Sequence, residues 1–143
     1  MTALSVTATQ VAWVSGPITE GAVAGEAFDE GASLYFKASD GKWWKAQCDN
    51  TAAEAGQDGL GIALFSASAA GGRGSVAREG AIVTLGAGAA PAAGTVYHPG
   101  TTAGTLIPSA DLATTNKVSI AALGIGSNQV LVQETYNAGA VVP

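Results

Sequence analysis

The sequence predicts an all-β domain, a compact clip-like or small-barrel fold with an extended N-terminal arm. Three observations carry the prediction. Short runs rich in Val, Ile, Leu and aromatic residues recur along the chain, separated by Gly, Pro and Asp-Gly turn signals. The 30 alanines are scattered among 20 glycines without a helical period. At 143 residues, one domain is the expectation.

Residues 1–19 carry no charged side chain. Leu4 and Val6, then Val11 and Trp13, are each spaced two apart, and Gly16-Pro17 interrupts the run. Two readings stay open here. The segment is an arm whose unpaired backbone seeks a partner's sheet edge, or it is the first strand of the domain's own sheet. Residues 20–136 form the expected β domain, and residues 137–143 a tail.

Residues 25–48 hold the best local signal. Asp40-Gly41 suits a two-residue type I′ turn between the runs 33–39 and 42–48. That turn sets Tyr35 opposite Ala46 and Lys37 opposite Trp44 on one face. Leu34, Phe36 and Ala38 then face Gln47, Lys45 and Trp43 on the other. Both faces carry aromatics, so neither is a plain solvent face. Lys37 is placed to lie over the Trp44 ring.

Asn50 to Ala55 predicts one helical turn with Asn50 as its cap. Residues 59–68 read as a buried strand, 69–74 as a flexible loop, and 74–86 as two short strands broken near Glu79-Gly80. Further short strands are expected at 95–98 and 105–107. Residues 117–134 read as a closing hairpin turning at Gly126-Ser127-Asn128.

Only 12% of residues are Asp, Glu, Lys or Arg, against a typical ~25%. A second charge-free stretch runs from 80 to 110. A surface covered by Ser, Thr, Gly and Ala is weakly solvated, so covering it with a partner costs little. Permanent assembly is the expectation. Six basic against eleven acidic residues make a nucleic-acid partner unexpected. No apolar run approaches the ~20 residues of a membrane span, and no basic residue precedes an apolar N-terminal run. A product that stays in a cytoplasm, or is assembled there, is expected.

The chemistry-bearing residues are few. His98 is the single histidine and Cys48 the single cysteine. They form the sole nucleophile–base option, with nothing in the sequence to orient either. His98 is expected as a surface or interface polar residue. A zinc site lacks ligands of the right type. Gly71 to Ser75 has glycines and an arginine but no Gly-Lys-Ser ending, so a flexible loop is the better reading than a phosphate cradle. Trp43 and Trp44 are adjacent on a strand and point to opposite faces, so they make no joint stacking platform. No catalytic residue, cofactor or metal is expected, and the chain is not read as an enzyme.

The stretch GEAFDEGASLYFKASDGKWWKAQCDN at 25–50 resembles the opening of the small capsid decoration, or cement, proteins of tailed bacteriophages. DGLGIAL at 58–64, the Gly- and Ala-rich 79–108 with its GTVY strand, and ALGIGSNQVLV at 122–132 are similar to that family's later segments. The resemblance covers roughly residues 20–133 and is one of pattern and order. It implies a homotrimer that binds the major capsid protein on the outer surface of an assembled shell and stabilises it. It also implies an N-terminal arm that orders on docking. The arm positions are then Leu4, Val6, Val11 and Trp13, and the trimer contact is expected at Phe28, Tyr35 and Trp44. A head-fibre base, a tail component or a small sugar-binding β domain would suit the composition too.

Overall fold

The computed structural model describes residues 3–141, with side chains described through residue 135. The fold is all-β, built from two antiparallel sheets. Strands β1 (Ala12–Ser15), β2 (Ile18–Val23), β3 (Ser33–Lys37), β4 (Lys42–Lys45), β5 (Leu60–Ala63) and β6 (Arg73–Ala77) come first. They are followed by β7 (Ile82–Thr84), β8 (Val96–Pro99), β9 (Leu106–Pro108), β10 (Lys117–Gly126) and β11 (Gln129–Val141). One sheet has the order β2-β6-β5-β3-β4, the other β1-β7-β11-β10-β8-β9.

The two sheets share a corner. Residues 12–23 run antiparallel to residues 73–84, β1 on β7 in one sheet and β2 on β6 in the other. The ribbon passes from sheet to sheet at Gly16-Pro17 on one side and residues 78–81 on the other. The Arg78 N–H donates to the Pro17 carbonyl at 3.0 Å, so pairing continues through the bend. Gly16 has φ +96, and a Cβ there would lie 2.5 Å from the Ala81 Cα. Only glycine lets the two chains approach so closely. Strands that change sheets at such bends are how two crossed sheets close over one interior.

The interior has three apolar clusters. The largest, with Val83, Leu85, Tyr97, Leu106, Val130 and Val132, lines the six-stranded sheet. A second joins Phe28, Leu34, Trp43 and Val76. The third is small, Tyr35, Ala46 and Leu60, with Trp44 packed against it.

The aromatic hairpin keeps its expected faces but not its expected register. Tyr35 pairs with Trp44 and Phe36 with Trp43, two residues from the predicted alignment. The loop spans four residues, 38–41, because Asp40 does not take the positive φ that a type I′ turn demands. Its carboxylate accepts from the Lys42 N–H at 2.9 Å and from the Trp44 indole N–H at 3.1 Å, and Gly41 alone turns left-handed. A two-residue slip preserves alternation, so each side chain still meets its proper face. The Lys37 Nζ does lie over the Trp44 ring, 4.9 Å from its centre. The two-residue turn appears instead in the last hairpin, where Ser127 and Asn128 both have positive φ and Gly126 pairs with Gln129.

Four other expectations change. Ile18–Val23, unassigned from sequence, is a strand. Residues 52–58 are a chain of turns rather than a capped helix. Arg73 to Ser75 belong to β6 and not to a flexible loop. Finally, β11 runs on to Val141, through most of the expected tail.

Candidate functional site

The N-terminal segment is where structure and functional expectation meet. It lies on its own domain. The Leu4 N–H donates to Leu106 of β9 at 2.9 Å, and the Thr7 N–H donates to Leu85, just past β7, at 3.2 Å. The segment therefore straps the six-stranded sheet from one side to the other. A short 3-10 helix, Ala8–Gln10, follows, and the chain then enters β1. Leu4, Val6 and Val11 are partly buried against the large core. Gly31 makes room for the strap: a Cβ there would come 2.4 Å from Val6 and 2.9 Å from Val11. Beside the strap runs an open groove of about 560 Å³, bounded by Val6, Phe28, Glu30, Lys45 and Thr105.

Trp13 stands apart from the other three arm positions. It is 50% exposed and Val14 is 47% exposed. The Trp13 indole N–H donates to the Gly16 carbonyl at 3.1 Å, which holds the ring beside the corner. All four residues of β1 are exposed. Among the described residues, no strand pairs with its outer edge.

The remaining sheet edges are covered or guarded. Strand β9 is buried throughout, and the strap bonds to it. Strand β4 carries Lys42 and Lys45 and is flanked by residues 24–26. There the Gly25 N–H donates to the Trp43 carbonyl at 2.8 Å, and the Glu26 carboxylate accepts from the Lys45 N–H at 3.0 Å. Strand β2 carries exposed Glu20 and a bulge at Gly21, φ +68. Charges, bulges and covering segments are the devices that stop a sheet edge from recruiting another strand. Strand β1 carries no charge and no covering segment; its register on β7 shifts once, between Trp13 and Ser15.

Charge is divided between the sheets. Residues 20–79 hold fourteen of the seventeen charged side chains and supply nearly all of the five-stranded sheet. The other sheet draws β1, β7, β8 and β9 from the two charge-free stretches, 1–19 and 80–110. Its last two strands are charge-free from 118 to 133. Trp13, Val14 and Ile125, the exposed large hydrophobics among the described residues, all belong to this neutral half.

Two of the three expected trimer contacts, Phe28 and Tyr35, are interior to the chain. Phe28 is buried within the chain, edge-to-face with Phe65 at 5.1 Å. Tyr35 is buried against Ala46 and Leu60, and burial raises its pKa. Neither offers surface to a neighbour. Trp44 is half-buried and packs its indole over Gly25.

His98 is also interior, not a surface residue. Its Nδ1 meets the Ser119 carbonyl at 2.6 Å and its Nε2 the Ser109 hydroxyl at 2.7 Å. A carbonyl only accepts, so Nδ1 carries the proton and Nε2 accepts from Ser109. Burial lowers its pKa, partly opposed by the Ser119 bond. Cys48 is fully buried, and its thiol is pushed up to about 11 by burial and then by Asp49. A thiol held so high and so deep is a poor nucleophile. Both ring nitrogens of His98 are engaged elsewhere, so nothing activates Cys48 as a pair would require. Among the described residues, no group of three His, Cys, Asp or Glu is placed to hold a metal ion.

The sequence reading missed the polar cluster at the corner. Arg78 grips the Glu134 carboxylate two-pronged, through Nε at 2.8 Å and through Nη2. Its Nη1 donates to the Thr19 hydroxyl at 2.9 Å. The same carboxylate accepts from the Glu79 N–H at 2.9 Å and the Leu60 N–H at 3.3 Å. Nothing in the sequence pairs Arg78 with Glu134 across 56 positions.

No protein-family model, curated protein or solved structure matches this chain.

Proposed function

We propose that the protein is a structural virion component that binds the outer surface of an assembled phage shell and stabilises it. The separation of charge between the two sheets carries this reading. A neutral half that also exposes Trp13, Val14 and Ile125 is cheap to desolvate, and soluble surfaces of that kind are commonly built to be covered. The pattern resemblance to capsid decoration proteins names the cover.

Docking proceeds at the bare edge of β1, where an extended segment of the major capsid protein adds as a further strand. Each backbone hydrogen bond gained contributes a net ~0.5–1.5 kcal/mol. A trimer presents three such edges at once, and the second and third bind at high effective concentration. In this reading Leu4, Val6 and Val11 serve from within, by holding the strap to the core, and Trp13 and Val14 meet the shell.

The test is co-sedimentation with empty shells of the same virus's major capsid protein. Val14→Lys places on β1 the guard that β4 already carries, at a residue that is about half exposed. Binding should fall at least about tenfold, the equivalent of losing one or two backbone bonds. Thr9→Lys puts the same charge on an exposed residue of the 3-10 helix, outside β1, and should bind like the parent. Wild-type protein that fails to pellet with shells overturns the proposal.

A further inference from the structure

We infer that the Arg78–Glu134 pair is a positioning device, setting the angle at which the corner presents β1 to its partner. The inference rests on the docking role proposed for that strand. Four elements converge on this one ion pair. Glu134 belongs to β11, in the neutral sheet. It accepts from Leu60 at the start of β5 and from Arg78 and Glu79, which link β6 to β7. Arg78 reaches on to Thr19 of β2, two residues beyond Pro17, and its guanidinium lies 5.0 Å from the centre of the Trp43 ring.

At the bend of the ribbon of residues 12–23 and 73–84, backbone bonds outside the two ladders hold the chain, the Val132 N–H to the Ala81 carbonyl at 2.8 Å among them. The Arg78 N–H holds the Pro17 carbonyl, and the Gly80 N–H donates to the Val132 carbonyl at 2.9 Å. The first donor is Arg78 itself, and the second bond joins residues two positions from each member of the pair. The Glu134 side chain is only 14% exposed, so water competes weakly for its oxygens. A planar fork on a planar carboxylate fixes direction as well as distance. The link between β1 and β2 is two residues long, so any tilt of the 78–81 bend is passed to β1.

Hydrogen exchange read peptide by peptide tests this, together with shell binding. Glu134→Gln keeps the shape and removes the charge. Amides of 12–15 and 82–84 should exchange about tenfold faster, while those of the β3–β4 hairpin keep the parent's rate. Shell binding should weaken in parallel. Thr19→Val removes only the outermost bond and should give a smaller change confined to β1 and β2. Equal loosening everywhere, or unchanged exchange at 12–15, overturns the positioning role. If wild-type protein ignores shells but Glu134→Gln still loosens β1 selectively, the docking reading fails and the coupling of ion pair to strand stands.

Discussion

Two of the chain's most noticeable single residues, His98 and Cys48, lie in the interior. His98 ties β8 to β10 through the Ser119 carbonyl and to the turn after β9 through the Ser109 hydroxyl. It is neutral there, and its folded pKa lies below the ordinary 6.5. The sign of the linkage follows. The unfolded chain takes up a proton near 6.5, while the folded chain resists until lower pH. His98 therefore favours the fold above about 6.5, and that contribution is lost as pH falls from there through its folded pKa. His98→Asn keeps a donor for Ser119 and does not titrate. Thermal melts from about pH 8 to about pH 5 should show the parent losing more melting temperature than His98→Asn. Parallel curves would mean that His98 is not the titrating group. Nothing in a single histidine beside a proline announced this interior position. The Ser119 and Ser109 partners lie 21 and 11 positions away, and β pairing alone brings them together.

At the scale of elements, the sequence was most legible where alternation is strict. Leu34, Phe36 and Trp43 on one face and Tyr35, Lys37 and Trp44 on the other followed from period two alone. The register did not, because the Asp40 side chain competes with its own backbone for the turn and lengthens the loop. Strand β2 was missed since Glu20 and Gly21 break the apolar pattern of Ile18 to Val23, and both belong to a bulged, guarded edge. For the N-terminal segment the sequence left two readings open. The strap and β1 lie on the domain's own sheet, while β1 keeps one edge bare. The cradle under the strap is specific enough to test. Gly31 has φ +87 and no room for a methyl group against Val6 and Val11. Gly31→Ala should cost about 1–3 kcal/mol in urea unfolding, from strain and overpacking together. Hydrogen exchange should show the loss first at residues 3–11. Stability equal to the parent would mean that the strap adjusts without cost and is not held by this contact.

On the scale of the whole molecule, the low charge visible in the composition becomes a spatial fact. Residues 1–19 and 80–110 were readable as charge-free, but their meeting in one sheet is a matter of strand order, which no local signal encodes. The result is a molecule with a charged end, nine acidic and five basic side chains between 20 and 79, and a neutral end carrying its exposed apolar residues. The two ends predict opposite responses to salt. An interface made by the charged sheet weakens as ions screen it, since the Debye length falls from ~10 Å at 0.1 M to a few ångströms near 1 M. Strand addition at a neutral edge has no such dependence, and apolar burial is unharmed by salt. Affinity for shells should therefore change less than about threefold between about 0.05 M and about 0.5 M sodium chloride. Over the same range, the two acidic residues that line the groove, Asp29 and Glu30, should be replaceable by their amides without effect on binding. A steep loss of affinity with salt, or loss on neutralising those carboxylates, would assign docking to the charged sheet. It would also mean that Trp13 and Val14, exposed on an edge strand that carries no charge, take no part in docking.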